Sequence, residues 1–233
     1  MYFISMLYLS FVFHSVINLC VTPQNSHRFR SFHQHRLMPH LVLSSSNQKR
    51  KVYGIDYMGQ GKSWPINCND GNSENEKNLI YSIDTWADQV IDFVQEVLVP
   101  IHGQDVKLHL IGNSVGGHLA TLLATKRPDL IESICLLNAT PVWGLNLPFW
   151  SGHLPPPFIP RKIGRYLFDK IRDLNTIEKY LEAAYYNKDA YDDTLIQQIR
   201  SCTDGKGGHA AFASIMWSPP ASFPSVSLGT IVI

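Results

Sequence analysis

Residues 112–117, Gly-Asn-Ser-Val-Gly-Gly, set one hydroxyl among three glycines. Such a turn serves either of two chemistries: bare backbone N–H groups can cradle a phosphate, or the serine can be presented as a nucleophile. A second glycine-rich stretch, Gly59-Gln60-Gly61-Lys62-Ser63, ends like a phosphate loop. That motif needs a glycine where Asp56 stands and an amphipathic helix where Trp64 and Pro65 follow, so no helix N-terminus is offered to an anion there. Around Ser114 the context is that of a nucleophile: "KLHLI" reads as a strand, the glycines as a turn, and "VGGHLATLLATKR" as a helix. In such an elbow the serine takes a positive φ, and side chains two residues to either side would collide with it, which explains Gly112 and Gly116. Gly117 lets the start of the helix pack closely. The expected roles are Ser114 as catalytic nucleophile and the Val115 backbone N–H as oxyanion donor. Aspartate in place of the serine would imply an alkyl-ester intermediate; serine implies acyl transfer on an ester, thioester or amide.

The elements that must hold this turn alternate in type. "KVYGID" is a short strand, and a helix is expected from Ser82 to Pro100, with Ile83, Trp86, Ala87, Val90, Ile91, Val94, Val97 and Leu98 on one face. "VKLHLIG" and "ESICLLN" are two further strands, the last expected to be covered on both faces. Strand and helix alternating through short links imply parallel β-α-β units. After Asn138 the stretch "ATPVWGLNLPFWSGHLPPPFIP" is too rich in Trp, Phe and Pro to be regular. Helical patterns resume in "RKIGRYLFDKIRD", "NTIEKYLEAAYY" and from Ala190 to Cys202, as expected of a helical cap over the carboxyl edge of the sheet. The domain plan is a leader at 1–50 outside the fold, a core at 51–142, a cap at 143–216 and a divergent tail at 217–233.

With 233 residues, 45% hydrophobic and 11% aromatic, the chain has ample material for a packed core. Six Lys/Arg precede the first acidic residue, Asp56, leaving 14 basic against 19 acidic residues afterwards, a net of −5. The globular part lacks the basic surface that nucleic-acid binding requires. Cys20, Cys68, Cys135 and Cys202 stand far apart without the pairing of a zinc site, and no metal is expected. Cys135 lies in an apolar run and reads as a buried thiol.

The first fifty residues open apolar, "MYFISMLYLSFVFHSVINLCV", and turn basic, Ser-rich and free of acid. That order suits a bipartite plastid presequence. A membrane anchor is the rival reading, against which His14 and Asn18 interrupt the run.

"GNSVGGHLA" with "LLNATPVWG" resembles the α/β-hydrolase fold and, more narrowly, the pheophytinase family of plants and algae. "VYGIDYMGQGKSWP" is similar to that family's strand and turn upstream of the elbow; "WSGHLPPP" and "FASIMWSPP" are similar to parts of its cap. The resemblance covers residues 51–219. It implies an α/β-hydrolase fold, a parallel sheet with flanking helices and a helical cap, here incomplete. It also implies hydrolysis of the phytyl ester of pheophytin in the chloroplast, near the thylakoid membrane, with no metal or organic cofactor. Trp143, Phe149, Trp150, Phe158, Tyr185, Tyr186 and Trp217 gather in the cap region, where they serve either as cap core or as a face for a porphyrin-like or isoprenoid ligand.

A serine hydrolase of this fold also needs a carboxylate and a histidine, in that order after the nucleophile. The histidines following Ser114 are His118 in the elbow helix, His153 in the cap entrance and His209 in "GKGGHAAF". Only His209 is weighed as a substitute base. His109 alternates with apolar neighbours and reads as a core histidine. The tail "ASFPSVSLGTIVI" holds neither His nor acid, and no glycine-rich segment before Lys51 supplies a first oxyanion donor. Two readings stand: a serine ester hydrolase whose remaining catalytic groups lie outside this sequence, or a catalytically incomplete fragment that binds ligands or has no activity.

Overall fold

The structure, a computed structural model, describes residues 17–21 (as backbone), 51–60, 63, 80–140, 144–153, 157–201, 203–204 and 208–222. The chain divides into two compact units, a sheet unit of Ser15–Tyr57, Ile83–Trp143 and Pro220–Ile233, and a helical unit of Met1–His14, Met58–Ser82 and Gly144–Pro219.

Four strands build the sheet: β1 (Ile17–Val21), β2 (Lys51–Gly54), β3 (Leu108–Asn113) and β4 (Ile131–Leu137), in the order β2-β1-β3-β4. β3 and β4 run parallel, with Leu110 opposite Ile134, and the helix α3 (Val115–Lys126) between them packs on both. This is the expected β-α-β unit of an α/β fold. β1 corrects the reading of residues 1–50 as lying outside the fold, because it sits between β2 and β3, antiparallel to each, with Leu19 opposite both Tyr53 and Leu110. The physical reason is the sheet edge: without β1, the backbone groups of β2 and β3 that it pairs would lack those partners.

In β3, Leu108, Leu110 and Gly112 are buried and His109, Ile111 and Asn113 half-buried, the alternation of a strand with one face on the core. β4 departs from expectation. Its apolar run predicts cover on both faces, yet Leu136 is 49% and Leu137 43% exposed, and Cys135 is a free, exposed thiol rather than a buried one. Among the described strands β4 pairs with β3 alone, so it forms an edge.

The helix predicted from Ser82 also runs further than expected. α1 (Ile83–Phe93) passes through a π-turn at Val94–Leu98 into α2 (Val99–His102), so Pro100 falls in a first turn instead of closing the helix. Proline is tolerated there because the first-turn N–H has no intrahelical acceptor in any case. Trp86 stacks on Tyr57 at 4.9 Å between ring centroids, and Ile83, Val90, Val94 and Leu98 complete the buried face. Each such side chain contributes about 1.5–3 kcal/mol of burial. Asp84 ties α1 to the end of α3 through Lys126 at 2.8 Å, and accepts the Ser222 N–H at 2.9 Å.

At the far end of this helix, His102 is 8% exposed and its Nε2 lies 2.6 Å from Tyr53 Oη. Burial first, and then the charge of Lys51, hold its pKa below the ordinary histidine value.

The helical unit contains α4 (Phe158–Ile171), α5 (Leu174–Ala184), a 3₁₀ turn at Lys188–Ala190, α6 (Asp193–Ser201) and α7 (Gly208–Trp217). Gly164, Phe168 and Ile171 recur at helical spacing on the buried face of α4. Phe168 meets Phe212 of α7 at 5.5 Å between rings, and Ile177, Leu181, Ile196, Ile199 and Met216 fill the same core. Asp173 caps α5 by accepting the Thr176 N–H at 3.2 Å. Asp204 draws Arg172 (2.7 Å) and Arg200 together. Among the described residues no helix is long and apolar enough to cross a membrane.

Two expectations follow. The unfolded chain takes up a proton at His102 near pH 6.5, whereas the folded chain does so only at lower pH. Stability is therefore fully present above about pH 6.5 and falls as the pH drops from there toward the folded-state value. The urea midpoint should decline between pH 7.5 and 5.5, and His102→Gln should flatten that slope; an unchanged slope refutes the assignment. In the helical unit, a Cβ at Gly164 would run into the Ala213 Cβ. Gly164→Val should destabilise by about 1–3 kcal/mol through overpacking, read from urea denaturation.

Candidate active site

β3 ends at Gly112-Asn113 and α3 begins at Val115, leaving a single residue, Ser114, to make the turn. Ser114 does so at φ 54° and ψ −120°, a conformation L-residues rarely adopt. The glycines permit it. A Cβ at Gly112 would strike the Gly116 carbonyl oxygen and lie 2.6 Å from Gly117 N, both backbone atoms that cannot step aside. At Gly117 a Cβ would come within 2.5 Å of the Ala139 methyl. The collision foreseen at Gly112 and the close packing foreseen at Gly117 are both present.

The Ser114 backbone is fixed from three directions. Its N–H donates to the Leu137 carbonyl at 3.0 Å. Its carbonyl accepts from Gly117 N at 3.0 Å, from His118 N at 3.4 Å, and from Thr140 N at 3.0 Å. The last contact comes from the segment after β4, which turns through Asn138 at φ 47°. The Ser114 side-chain oxygen stands 3.2 Å from Thr140 Oγ1. Ser114 is 9% exposed and Val115 1% exposed. As the first residue of α3, Val115 carries an N–H with no acceptor inside the helix, at the positive end of the helix dipole. A hydroxyl and a backbone donor in adjacent positions make a geometry suited to attack on a carbonyl carbon with stabilisation of the oxygen that becomes charged.

The sheet unit's described histidines after β2 are each engaged. His102 meets Tyr53, His109 Nδ1 is 2.7 Å from Ser133 Oγ across β3 and β4, and His118 is buried in the first turn of α3. His109 is thus a half-buried histidine with a partner, close to the core reading. Of the unit's described acids after Ser114, Asp129 is held by Arg127 at 2.7 Å and Glu132 is exposed on β4. The Arg127 guanidinium keeps the Asp129 carboxyl below its usual range. His153 and His209 belong to the helical unit, the first in an isolated bridge with Ile80 and the second in α7. Among the described residues no cluster of three or more His, Cys, Asp or Glu is placed to hold a metal ion.

Several aromatic residues of the cap region have partners within the helical unit. Trp150 Nε1 donates to the His153 carbonyl at 3.1 Å and Trp217 Nε1 to the Pro160 carbonyl at 3.2 Å, while Tyr185 packs on Tyr191. Phe149, Phe158 and Tyr186 are exposed; Trp143 lies outside the described residues. Thr140 lies within the segment "LLNATPVWG", but nothing in that segment ties it to Ser114, because their contact spans 26 positions.

A family model described as the alpha/beta hydrolase family matches residues 26–231. Among curated proteins, the chain is 30% identical to "Pheophytinase, chloroplastic" of Arabidopsis thaliana, covering 76% of this chain and 42% of that protein. It is 29% identical to "Abhydrolase domain-containing protein abhd-5.2" of Caenorhabditis elegans, covering 42% of this chain and 19% of that protein. Among solved structures it is similar to the 2-hydroxy-6-oxo-6-phenylhexa-2,4-dienoate hydrolase BphD of Rhodococcus sp. strain RHA1, with TM-score 0.51 and 15% identity over 79% of this chain and 59% of that one. The meta-cleavage product hydrolase CumD of Pseudomonas fluorescens IP01 gives a TM-score of 0.50 and 16% identity over 86% of this chain and 64% of that one. The chain thus spans less than half of the curated relatives and about three fifths of these structural ones. With a strand-turn-helix elbow on a mixed sheet and a family match across most of its length, the chain belongs to the alpha/beta hydrolase family.

Proposed function

We propose that these 233 residues carry the nucleophile side of a serine ester hydrolase and, taken by themselves, form a catalytically incomplete α/β-hydrolase. Ser114 is the nucleophile and the Val115 N–H the oxyanion donor. The observation that carries the reading is the Ser114 backbone at φ 54°: strain of about 1–3 kcal/mol is retained where function needs the hydroxyl presented. The incompleteness is supported by the histidines. In this fold the base arrives after an acid, on a later loop, whereas His118 sits one turn past the nucleophile, His153 bridges Ile80, and His209 lies on α7. A serine without its base retains only a small part of triad catalysis.

For the whole protein the reading goes further. The substrate is an apolar carboxylic ester, the phytyl ester of pheophytin or a related chlorophyll derivative, in the chloroplast close to the thylakoid. The pheophytinase relative at 30% identity supports this, together with the segments "LLNATPVWG", "WSGHLPPP" and "FASIMWSPP" and exposed aromatics such as Phe149, Phe158 and Tyr186. No metal or organic cofactor takes part.

A fluorophosphonate probe tests the nucleophile directly. The purified chain should be labelled slowly, at Ser114, and Ser114→Ala should abolish labelling. Ser114→Gly should abolish it too while raising stability by about 1 kcal/mol, since glycine adopts a positive φ without strain. When the chain is extended to supply the acid and histidine, hydrolysis of pheophytin to pheophorbide and phytol should appear and should vanish in Ser114→Ala. Turnover retained in that variant overturns the assignment.

A further inference from the structure

The contact between Ser114 and Thr140 assigns a task to a residue outside the expected catalytic set. We propose that Thr140 is a positioning residue that holds the Ser114 hydroxyl in one rotamer; this rests on Ser114 being the nucleophile. Two bonds from one residue converge on another: Thr140 N donates to the Ser114 carbonyl at 3.0 Å, and Thr140 Oγ1 lies 3.2 Å from Ser114 Oγ. The main-chain bond fixes where residue 140 stands relative to the elbow, so its side-chain oxygen is placed by the very residue that it orients.

The supporting segment is itself constrained. Leu137 at the end of β4 accepts the Ser114 N–H, Asn138 turns at φ 47°, and the Ala139 methyl fills the space left open at Gly117. Segment 137–140 therefore touches the elbow through two backbone bonds, a methyl contact and a hydroxyl. A serine side chain has three staggered wells about its one torsion, and an adjacent hydroxyl that both donates and accepts favours one of them. Threonine is not a base at neutral pH, so its part is orientation. Its β-branch suits that part, because two heavy atoms on Cβ restrict χ1.

The experiment compares the rate of fluorophosphonate labelling in the full chain and its variants. In this step Ser114 Oγ forms a bond to phosphorus, the P–F bond breaks with fluoride leaving, and the hydroxyl proton passes to water. Thr140→Val keeps the shape and removes the hydroxyl. Its labelling rate should fall about 3- to 10-fold, the value of one hydrogen bond, with an unchanged melting temperature. Thr140→Ser should label within about twofold of the unaltered chain. If Thr140→Val melts lower, Thr140→Ser against Thr140→Ala decides instead, since both lack the methyl and only one keeps the oxygen. Equal rates in the hydroxyl and non-hydroxyl variants, with the unaltered chain labelled at Ser114, overturn the positioning role alone. An unaltered chain that is never labelled at Ser114 overturns the nucleophile and the positioning role together.

Discussion

One steric constraint governs the site: the chain must leave β3 and enter α3 within a single residue. Only a left-handed Ser114 closes so tight a turn, and it closes only because Gly112 has no Cβ to strike the backbone at Gly116 and Gly117. The strain at Ser114, about 1–3 kcal/mol, is opposed by backbone bonds to Leu137, Gly117 and Thr140, each contributing about 0.5–1.5 kcal/mol net. The two are of the same order. That is why a change at Gly112, far smaller in volume than a core substitution, bears on the whole site.

What places the turn in space is the pairing of β3. It is bonded on both sides, to β1 in antiparallel and to β4 in parallel register, and its buried Leu108 and Leu110 anchor it against the core. A one-residue slip of β3 would send these leucines to the other face, so the core fixes which residue reaches the end of the strand. The same registers carry β4 to Leu137, whose carbonyl holds Ser114. Sheet register and the placement of Ser114 are thereby one specification.

This explains what could be read from the sequence. The elbow is legible because its demands are local: glycine at 112, an alternating strand before it and a helical period after it. β2, β3 and β4 are legible for the same reason. The membership of Ile17–Val21 in the sheet is not, since it depends on pairing with strands 30 and 90 or so positions away. Nor is the exposure of Leu136, Leu137 and Cys135, because an apolar run announces burial and cannot announce that its strand is an edge. Pro100 misleads in a different way: proline stops a regular helix, but a π-turn at Val94–Leu98 restarts the count and makes residue 100 part of a new first turn.

The two halves of a hydrolytic site differ in the same respect. The proposed nucleophile and oxyanion donor are consecutive residues, 114 and 115, and the turn that holds them is made by β3, α3 and segment 137–140. Acid and base come from loops far along the chain, brought back by long-range folding. In a chain that spans 42% of its pheophytinase relative, the strained serine is held locally, by main-chain bonds to Leu137, Gly117 and Thr140. The strained turn sets where the hydroxyl stands, whereas the rate of proton removal depends on a general base. Reactivity toward a strong phosphorylating agent and turnover of an ester are then separable properties of this fold, the first belonging to the elbow and the second to the assembled site.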